Sequence, residues 1–383
     1  SIDTILEMAG YKKDGICQGL IVTGCMAQMF KEQLAQEMPE VDAVLGTGSY
    51  EKICDAIEEV LAHHHYEDYG SMHCGVMHGD ERVLTTPNYT AYLKIAEGCS
   101  NCCAYCAIPS VRGKFRSRTV EDIVAEAKKL AADGVKELIV ITQDISRYGE
   151  DIYGKYSLDV LLTELCKIDG VEWIRLHYCY PDKMTPELIR VIAEEPKILK
   201  YLDIPVQHSS SKVLKAMNRK GDGPFVRSLL KEMKEKIPGL CLRTSLIVGF
   251  PGETEEDFLD LCDFVKEIEF DRLGVFPYSR QENTPAYDMP DQIDEEVKLE
   301  RQEIIMNIQE RISEKKNQAM VGKTLTVLVE GQVEDNYVGR SYKDSIDIDP
   351  KVIFLSDREI APGEFVEVEI TECDLYDLYG RAK

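Results

Sequence analysis

The 383-residue chain lacks any run of roughly 18 apolar residues, the length a helix needs to cross a bilayer. It shows no signal peptide either. Positive charge is scarce: 45 Lys and Arg stand against 69 Asp and Glu, a formal charge of −24. A nucleic-acid binder usually carries a basic face, because phosphate contacts supply much of its affinity. The overall field here repels RNA and attracts a basic protein, although acidity for solubility is an equally simple account of it. Cysteine is plentiful, with 13 residues. Without secretory features these do not read as a disulfide framework, and clustered cysteines in a reducing, cytoplasmic compartment point to metal.

Three cysteines stand close together as Cys99-x-x-x-Cys103-x-x-Cys106. Thiolates at this spacing can fold around one metal centre, and three ligands leave one position open for something else. A structural zinc knuckle needs a fourth ligand nearby, and no histidine follows until His177. The other cysteines read differently. Cys54, Cys166, Cys241 and Cys262 lie among apolar residues, where cysteine acts as a small hydrophobe. Cys102 is out of register with the triplet, and Cys17, Cys74, Cys179 and Cys373 have no assignment. His63-His64-His65 could be a metal tract. Successive helical residues point about 100° apart, however, so a solvated helix end is the simpler reading.

Residues 1–85 alternate helix and strand. Ile2, Ile5, Leu6 and Ala9 have helical spacing from the first residues, so we expect a segment to precede Ser1. Two strands are legible, Gly19–Gly24 and Ala43–Gly46, with Cys25 at the end of the first. Ligands gather at that edge of open α/β sheets. Residues 66–90 read as a polar linker.

From Ala91 to about Arg280 strand and helix repeat. Strands are predicted at Tyr92–Ala96, Leu138–Thr142, Trp173–Tyr178, Tyr201–Val206, Leu242–Val248 and Leu273–Tyr278, with helices capped by Thr119, Thr185 and Thr254 between them. This alternation means a parallel sheet with right-handed crossovers, here an incomplete six-unit barrel. The cysteine triplet follows its first strand, at the end where barrel active sites are built. Asp294 to about Met320 reads as a long helix with Val297, Leu299, Ile304, Ile305, Ile308 and Ile312 as its apolar side. Residues 324–383 alternate at period two and suit a small OB-like β-barrel. From Lys323 to Lys383 there are 14 carboxylates and 7 cations, which again favours a basic partner.

Gly249-Phe-Pro-Gly252-Glu253 follows a barrel strand, and its glycines permit close backbone approach to a cofactor. Arg243, in that strand, could pair with a cofactor carboxylate or form a structural ion pair. Tyr105, just before the last cysteine of the triplet, is placed to pack near a group bound at the open position. Gln143, Asp144, Gln207 and His208 stand at strand ends, where they line a site or satisfy the barrel rim.

The stretch Glu97-Gly-Cys99 through Cys103-Ala-Tyr105-Cys106-Ala-Ile-Pro-Ser-Val-Arg-Gly-Lys-Phe-Arg-Ser-Arg118 is similar to the methylthiotransferases of the radical S-adenosylmethionine (radical SAM) superfamily. Tyr92-Leu-Lys-Ile-Ala-Glu-Gly-Cys99, Thr142-Gln-Asp144, Tyr201-Leu-Asp-Ile-Pro-Val-Gln-His208, Gly249–Thr254 and Val338-Gly-Arg-Ser341 resemble the branch that modifies an aspartate of a small-subunit ribosomal protein. The resemblance implies an N-terminal methylthiotransferase domain, truncated here, over 1–85, a radical SAM barrel over 86–320 and a TRAM barrel over 321–383. It implies a 4Fe-4S cluster on Cys99, Cys103 and Cys106 with S-adenosylmethionine on its open iron; Tyr105, Gln143, Arg243, Gly249, Gly252 and Glu253 are, by position, the candidates to hold that cofactor. A second 4Fe-4S cluster is expected, of whose ligands only Cys25, in Gly24-Cys25-Met-Ala-Gln28, has a match. From this comes the expectation of cofactor cleavage without methylthiolation. The implied partners are a basic ribosomal protein, met through the acidic last barrel, and a flavodoxin or ferredoxin as electron donor. The alternatives are a tRNA adenosine methylthiotransferase of the same mechanism and a zinc-stabilised binding module without catalysis.

Overall fold

The computed structural model describes residues 1–72 and 82–383; Cys74 lies outside them. The described residues divide into two compact units, the first comprising residues 1–72, 97–102 and 106–116, the second residues 82–96, 103–105 and 117–383.

In the first unit, helix α1 (Ile2–Lys13) precedes strand β1 (Ile21–Thr23), helix α2 (Cys25–Glu37), strand β2 (Ala43–Gly48), helix α3 (Ile53–Leu61) and strand β3 (Tyr66–Gly70). The strands form a parallel sheet in the order β1-β2-β3. Two strands were legible in the sequence; β3 falls in the stretch read as linker. Its Tyr-Glu-Asp-Tyr-Gly carries almost no apolar signal, because an edge strand needs backbone pairing more than burial. Cys25 is the first residue of α2, and Gly24 before it has a φ of 113°, open to glycine at low cost. Cys54, expected among apolar neighbours, is exposed. The histidine tract closes no site: His64 pairs with Glu59 and His65 with Glu67 at a solvated helix end. Helix α4 (Ile108–Arg112) also belongs to this unit.

The second unit is built on six parallel strands: β4 (Thr90–Lys94), β5 (Glu137–Ile141), β6 (Trp173–Leu176), β7 (Ile198–Asp203), β8 (Cys241–Val248) and β9 (Arg272–Pro277). They lie side by side in sequence order, from β9 at one edge to β4 at the other. This is the parallel sheet that the strand–helix alternation predicts. Its strands carry Leu, Ile and Val on both faces, and a continuous core joins them to the crossover helices. Those helices start where the sequence places their caps. Thr119, Thr185 and Thr254 each accept a bond from a first-turn amide, and Thr254 and Asp257 close a reciprocal capping box.

Helix α5 (Val120–Ala132) follows β4; α6 (Leu158–Cys166), α7 (Pro186–Glu194), α8 (Ser211–Ala216), α9 (Gly223–Lys236) and α10 (Glu255–Ile268) complete the crossovers. Helix α11 (Glu295–Gln318) departs from its expected burial. Leu299 and Ile304 are exposed, while Lys298, Arg301, Gln309 and Asn317 are buried beside Ile305 and Ile312. An apolar count alone misplaces this face, because it is held by polar partners.

Strands β10 (Thr324–Val333), β11 (Asn336–Arg340), β12 (Val352–Leu355), β13 (Phe365–Cys373) and β14 (Leu378–Ala382) close into the small barrel that the period-two pattern predicts. It packs against the sheet where the strands begin. Tyr89, Trp173, Leu199, Tyr201, Cys241 and Leu328 form a shared cluster, with Trp173 edge-on to Phe365 at 4.8 Å. The opposite, C-terminal ends of the strands are thereby left to the loops. No helix among the described residues is long and apolar enough to cross a membrane.

Candidate active site

The rim at the C-terminal ends of β4 to β9 is assembled from the loop after each strand. After β4, Cys103, Ala104 and Tyr105 enter the second unit. The Ala104 amide donates to the Met217 carbonyl at 2.9 Å, and the Ala104 carbonyl accepts from the Ala286 amide at 2.9 Å. Around this two-sided anchor Ala104, Val213, Met217, Phe250, Tyr278 and Ala286 form an apolar floor, with Tyr105 against it.

Cys103 is buried with a cation beside it. Its Sγ lies 3.5 Å from the Tyr180 hydroxyl and 3.9 Å from Nη1 of Arg219. The Arg219 guanidinium donates to the Tyr105 hydroxyl at 3.2 Å and to the Pro205 carbonyl at 2.5 Å, and stacks over the Tyr180 ring at 4.1 Å. No carboxylate pairs with Arg219 among the described residues. Burial, the largest influence, pushes the Tyr105 phenol above its ordinary pKa, so it stays a neutral hydroxyl. Behind Tyr180, Lys183 lies 4.0 Å from its ring and 3.1 Å from the buried Asp144 carboxylate. Sequence reading missed Arg219, Tyr180 and Lys183, because an isolated basic or aromatic residue in a loop has no spacing signature.

The predicted cofactor residues fall in three places. Tyr105 and Gln143 are at the rim, where the Gln143 Oε1 accepts from Thr142 Oγ1 at 3.3 Å. Gly249, Gly252 and Glu253 form one turn after β8. The buried Glu253 carboxylate accepts from the amides of Gly249 at 2.8 Å and Phe250 at 3.3 Å, and space is open where a Gly252 side chain would stand. Arg243 is elsewhere: it is the third residue of β8 and pairs with Asp203 at 3.0 Å and Asp349 at 3.8 Å. These two carboxylates already satisfy its charge, which is the structural ion pair weighed as its alternative. His208, also buried, accepts from the Ser210 amide at 2.9 Å and lies 3.5 Å from Glu253.

Cys99, Cys106 and Cys25 belong to the first unit. The Cys99 amide donates to the Gly113 carbonyl at 3.1 Å, and Cys106 Sγ accepts from the Ile108 amide at 3.5 Å. Cys25 Sγ accepts from Arg112 Nε at 3.2 Å, and Arg112 reaches the Glu97 carboxylate at 3.4 Å. Burial works against the Arg112 charge, but Cys25 and Glu97 hold its pKa above the ordinary value. Among the described residues no three His, Cys, Asp or Glu side chains are arranged as a ready metal-ion site.

Comparison with known proteins bears on this site directly. The radical SAM superfamily model matches residues 93–265, and the TRAM domain model matches residues 321–382. The ribosomal protein uS12 methylthiotransferase RimO of Clostridioides difficile (strain 630) is 50% identical over 381 residues, 99% of this chain and 86% of that protein. The chain belongs to the RimO family. The RimO of Geobacter sulfurreducens is likewise 50% identical, over 99% of this chain and 86% of its own length. Among solved structures, the radical S-adenosylmethionine methyltransferase TsrM of Kitasatospora setae superposes with a TM-score of 0.55 at 13% identity, covering 73% of this chain and 59% of that one. That likeness is one of fold. As a RimO family member the chain is a transferase of the radical SAM type, and its Cys103–Tyr105 segment lies inside the matched region.

Proposed function

We propose that this chain is a radical SAM methylthiotransferase that adds a methylthio group to the β-carbon of an aspartate in ribosomal protein uS12. The observation that carries this is the 50% identity to uS12 methylthiotransferases over 99% of the chain. The RimO family implies an iron–sulfur cluster with S-adenosylmethionine, and the donor chemistry here fits that pair. Cys99, Cys103 and Cys106 offer three soft thiolate ligands on one loop, enough for a 4Fe-4S cluster with one open iron. Bound together, cluster and cofactor supply one-electron cleavage of a carbon–sulfur bond; the protein's part is to bind, orient and exclude water.

Each remaining role falls to this chain's own residues. Arg219 is a buried guanidinium beside Cys103 with no carboxylate of its own among the described residues. An anionic group is its natural complement, and the carboxylate of S-adenosylmethionine is the one the reaction supplies. Arg219 therefore takes the role first considered for Arg243. Tyr105, Gln143 and the turn of Gly249, Gly252 and Glu253 would hold the rest of the cofactor. The apolar floor of Val213, Met217, Phe250 and Tyr278 keeps water from the cleaved bond. Cys25 would be one ligand of a second 4Fe-4S cluster; no further ligands are grouped with it among the described residues, so cofactor cleavage is the part of the reaction that these residues support.

The acidic last barrel supports a basic protein as substrate. Glu367, Glu369 and Glu372 are exposed along β13, a surface that suits cationic polypeptide better than RNA. The reaction is placed in the cytoplasm, with flavodoxin or ferredoxin as electron donor. Anaerobic reconstitution with iron and sulfide tests the reading. It predicts roughly four irons on the triplet, together with deoxyadenosine that increases when uS12-containing ribosomes are added. One zinc per chain and no deoxyadenosine would sink it.

A further inference from the structure

We infer that Arg301 is a positioning residue for the cofactor, acting through Glu253. This deepens the proposed function and rests on the Gly249–Glu253 turn being the cofactor turn. Glu253 staples that turn from within. One carboxylate oxygen accepts from the Gly249 and Phe250 amides at 2.8 and 3.3 Å; the other accepts from Arg301 Nη1 at 2.7 Å. Both side chains are buried, with side-chain exposures of 8% for Arg301 and 0% for Glu253. The carboxylate thus depends on one helix-borne cation for its charge balance, since His208, 3.5 Å away, forms no hydrogen bond through Nε2.

Helix α11, which carries Arg301, grips the strand ends at a second point. Lys298 donates to the Tyr278 carbonyl at 3.0 Å, just after β9. Its aliphatic stem lies over Gly249, where any side chain would collide with it. Gly249 also has a φ of 71°, so glycine is required there twice over. The far end of the same helix holds the small barrel. Asn317 Nδ2 donates to the carbonyls of Asp374, Leu375 and Tyr376 at 3.1 to 3.3 Å. Sixteen helical residues, about 24 Å at the usual rise, separate the two grips. Helix α11 therefore connects the barrel offered to the protein substrate with the turn offered to the cofactor, and Arg301 is its contact with the turn.

The test compares wild type with Arg301→Lys and Arg301→Met, and with Glu300→Gln as an exposed control on the same helix. Two quantities are read: the Kd for S-adenosylhomocysteine on cluster-loaded protein, and amide hydrogen exchange of peptide 249–254 in unloaded protein. Arg301→Met is expected to raise Kd about tenfold, the effect of losing roughly one charge-assisted bond, and to speed exchange in that peptide. Its cluster absorption should be unchanged. Lys should restore most of the affinity, and Glu300→Gln should leave both readouts at wild type. Should Arg301→Met fail to fold, Arg301→Lys carries the test, with a smaller rise in Kd and faster exchange than wild type. The inference is overturned alone if wild type binds the ligand and faster exchange leaves Kd unmoved. If wild type binds no ligand at all, the cofactor reading falls and takes this inference with it.

Discussion

Arg340 and Glu137 are 203 residues apart in sequence, and their side chains meet at 2.6 Å with neither exposed to solvent. Arg340 Nη1 reaches the other oxygen of the same carboxylate at 3.0 Å, and Arg175 adds a third bond at 2.9 Å. Glu137 opens β5 and Arg340 closes β11, so the pair ties the start of the parallel sheet to the small barrel. Removing one partner of a buried pair costs about 3–5 kcal/mol, because the other charge is left uncompensated. Arg340→Met should destabilise the fold by about that amount, less whatever Arg175 recovers. Equilibrium denaturation would show it, and a midpoint equal to wild type would mean that the pair contributes nothing.

Two buried groups contribute to the response to acid. Burial pushes the Glu137 carboxyl up, but the charges and hydrogen bonds of Arg340 and Arg175 outweigh it and hold the pKa at about 2. The His177 pKa is lowered too, from 6.5 to about 3, first by burial and then by Arg175 and Arg243. In both cases the unfolded chain takes up its proton first as pH falls. The His177 contribution is complete above its ordinary value of 6.5 and is lost on descent towards 3. That of Glu137 is complete above 4.5 and is lost towards 2. Stability should therefore fall from pH 7 to pH 5 mainly through His177. His177→Gln should flatten that slope in urea titrations, and an unchanged slope would locate the sensitivity elsewhere.

Arg219 offers the sharpest test of the rim. Arg219→Met should raise the KM for S-adenosylmethionine tenfold or more, roughly the worth of a lost charge-assisted pair. Lys should recover part of it. Arg243→Met should leave KM close to wild type and instead lower stability, since Arg243 is spent on Asp203 and Asp349. Steady-state kinetics on both variants, with thermal unfolding alongside, separates these roles.

The readable parts of this chain are those with a period or a spacing. Six strand–helix repeats and three threonine caps were visible in the residues, because each is a local rule. Strand β3 was not, since Tyr66–Gly70 pairs its backbone on an edge and buries little. The buried face of α11 was misplaced because Lys298, Arg301, Gln309 and Asn317 are stabilised by groups far away in sequence. Arg219 and Arg243 show the same limit at the site. Both are single arginines, and only their neighbours in space show that Arg243 is ion-paired while Arg219 has no carboxylate partner among the described residues.

Cysteine substitution bears on the proposed cluster. Cys99→Ala, Cys103→Ala and Cys106→Ala should each abolish visible iron–sulfur absorption at the triplet and stop deoxyadenosine formation. Cys54→Ala should change neither, because Cys54 is exposed and outside the loop. Full absorption and turnover in any triplet variant would exclude that cysteine as a ligand.

The most direct measurement is deoxyadenosine released by the anaerobically reconstituted protein, with and without ribosomes that contain uS12. The account predicts release that depends on a reductant and on all three triplet cysteines, and that rises when the ribosomes are present. A protein that carries a single zinc and releases no deoxyadenosine under any of these conditions would contradict it.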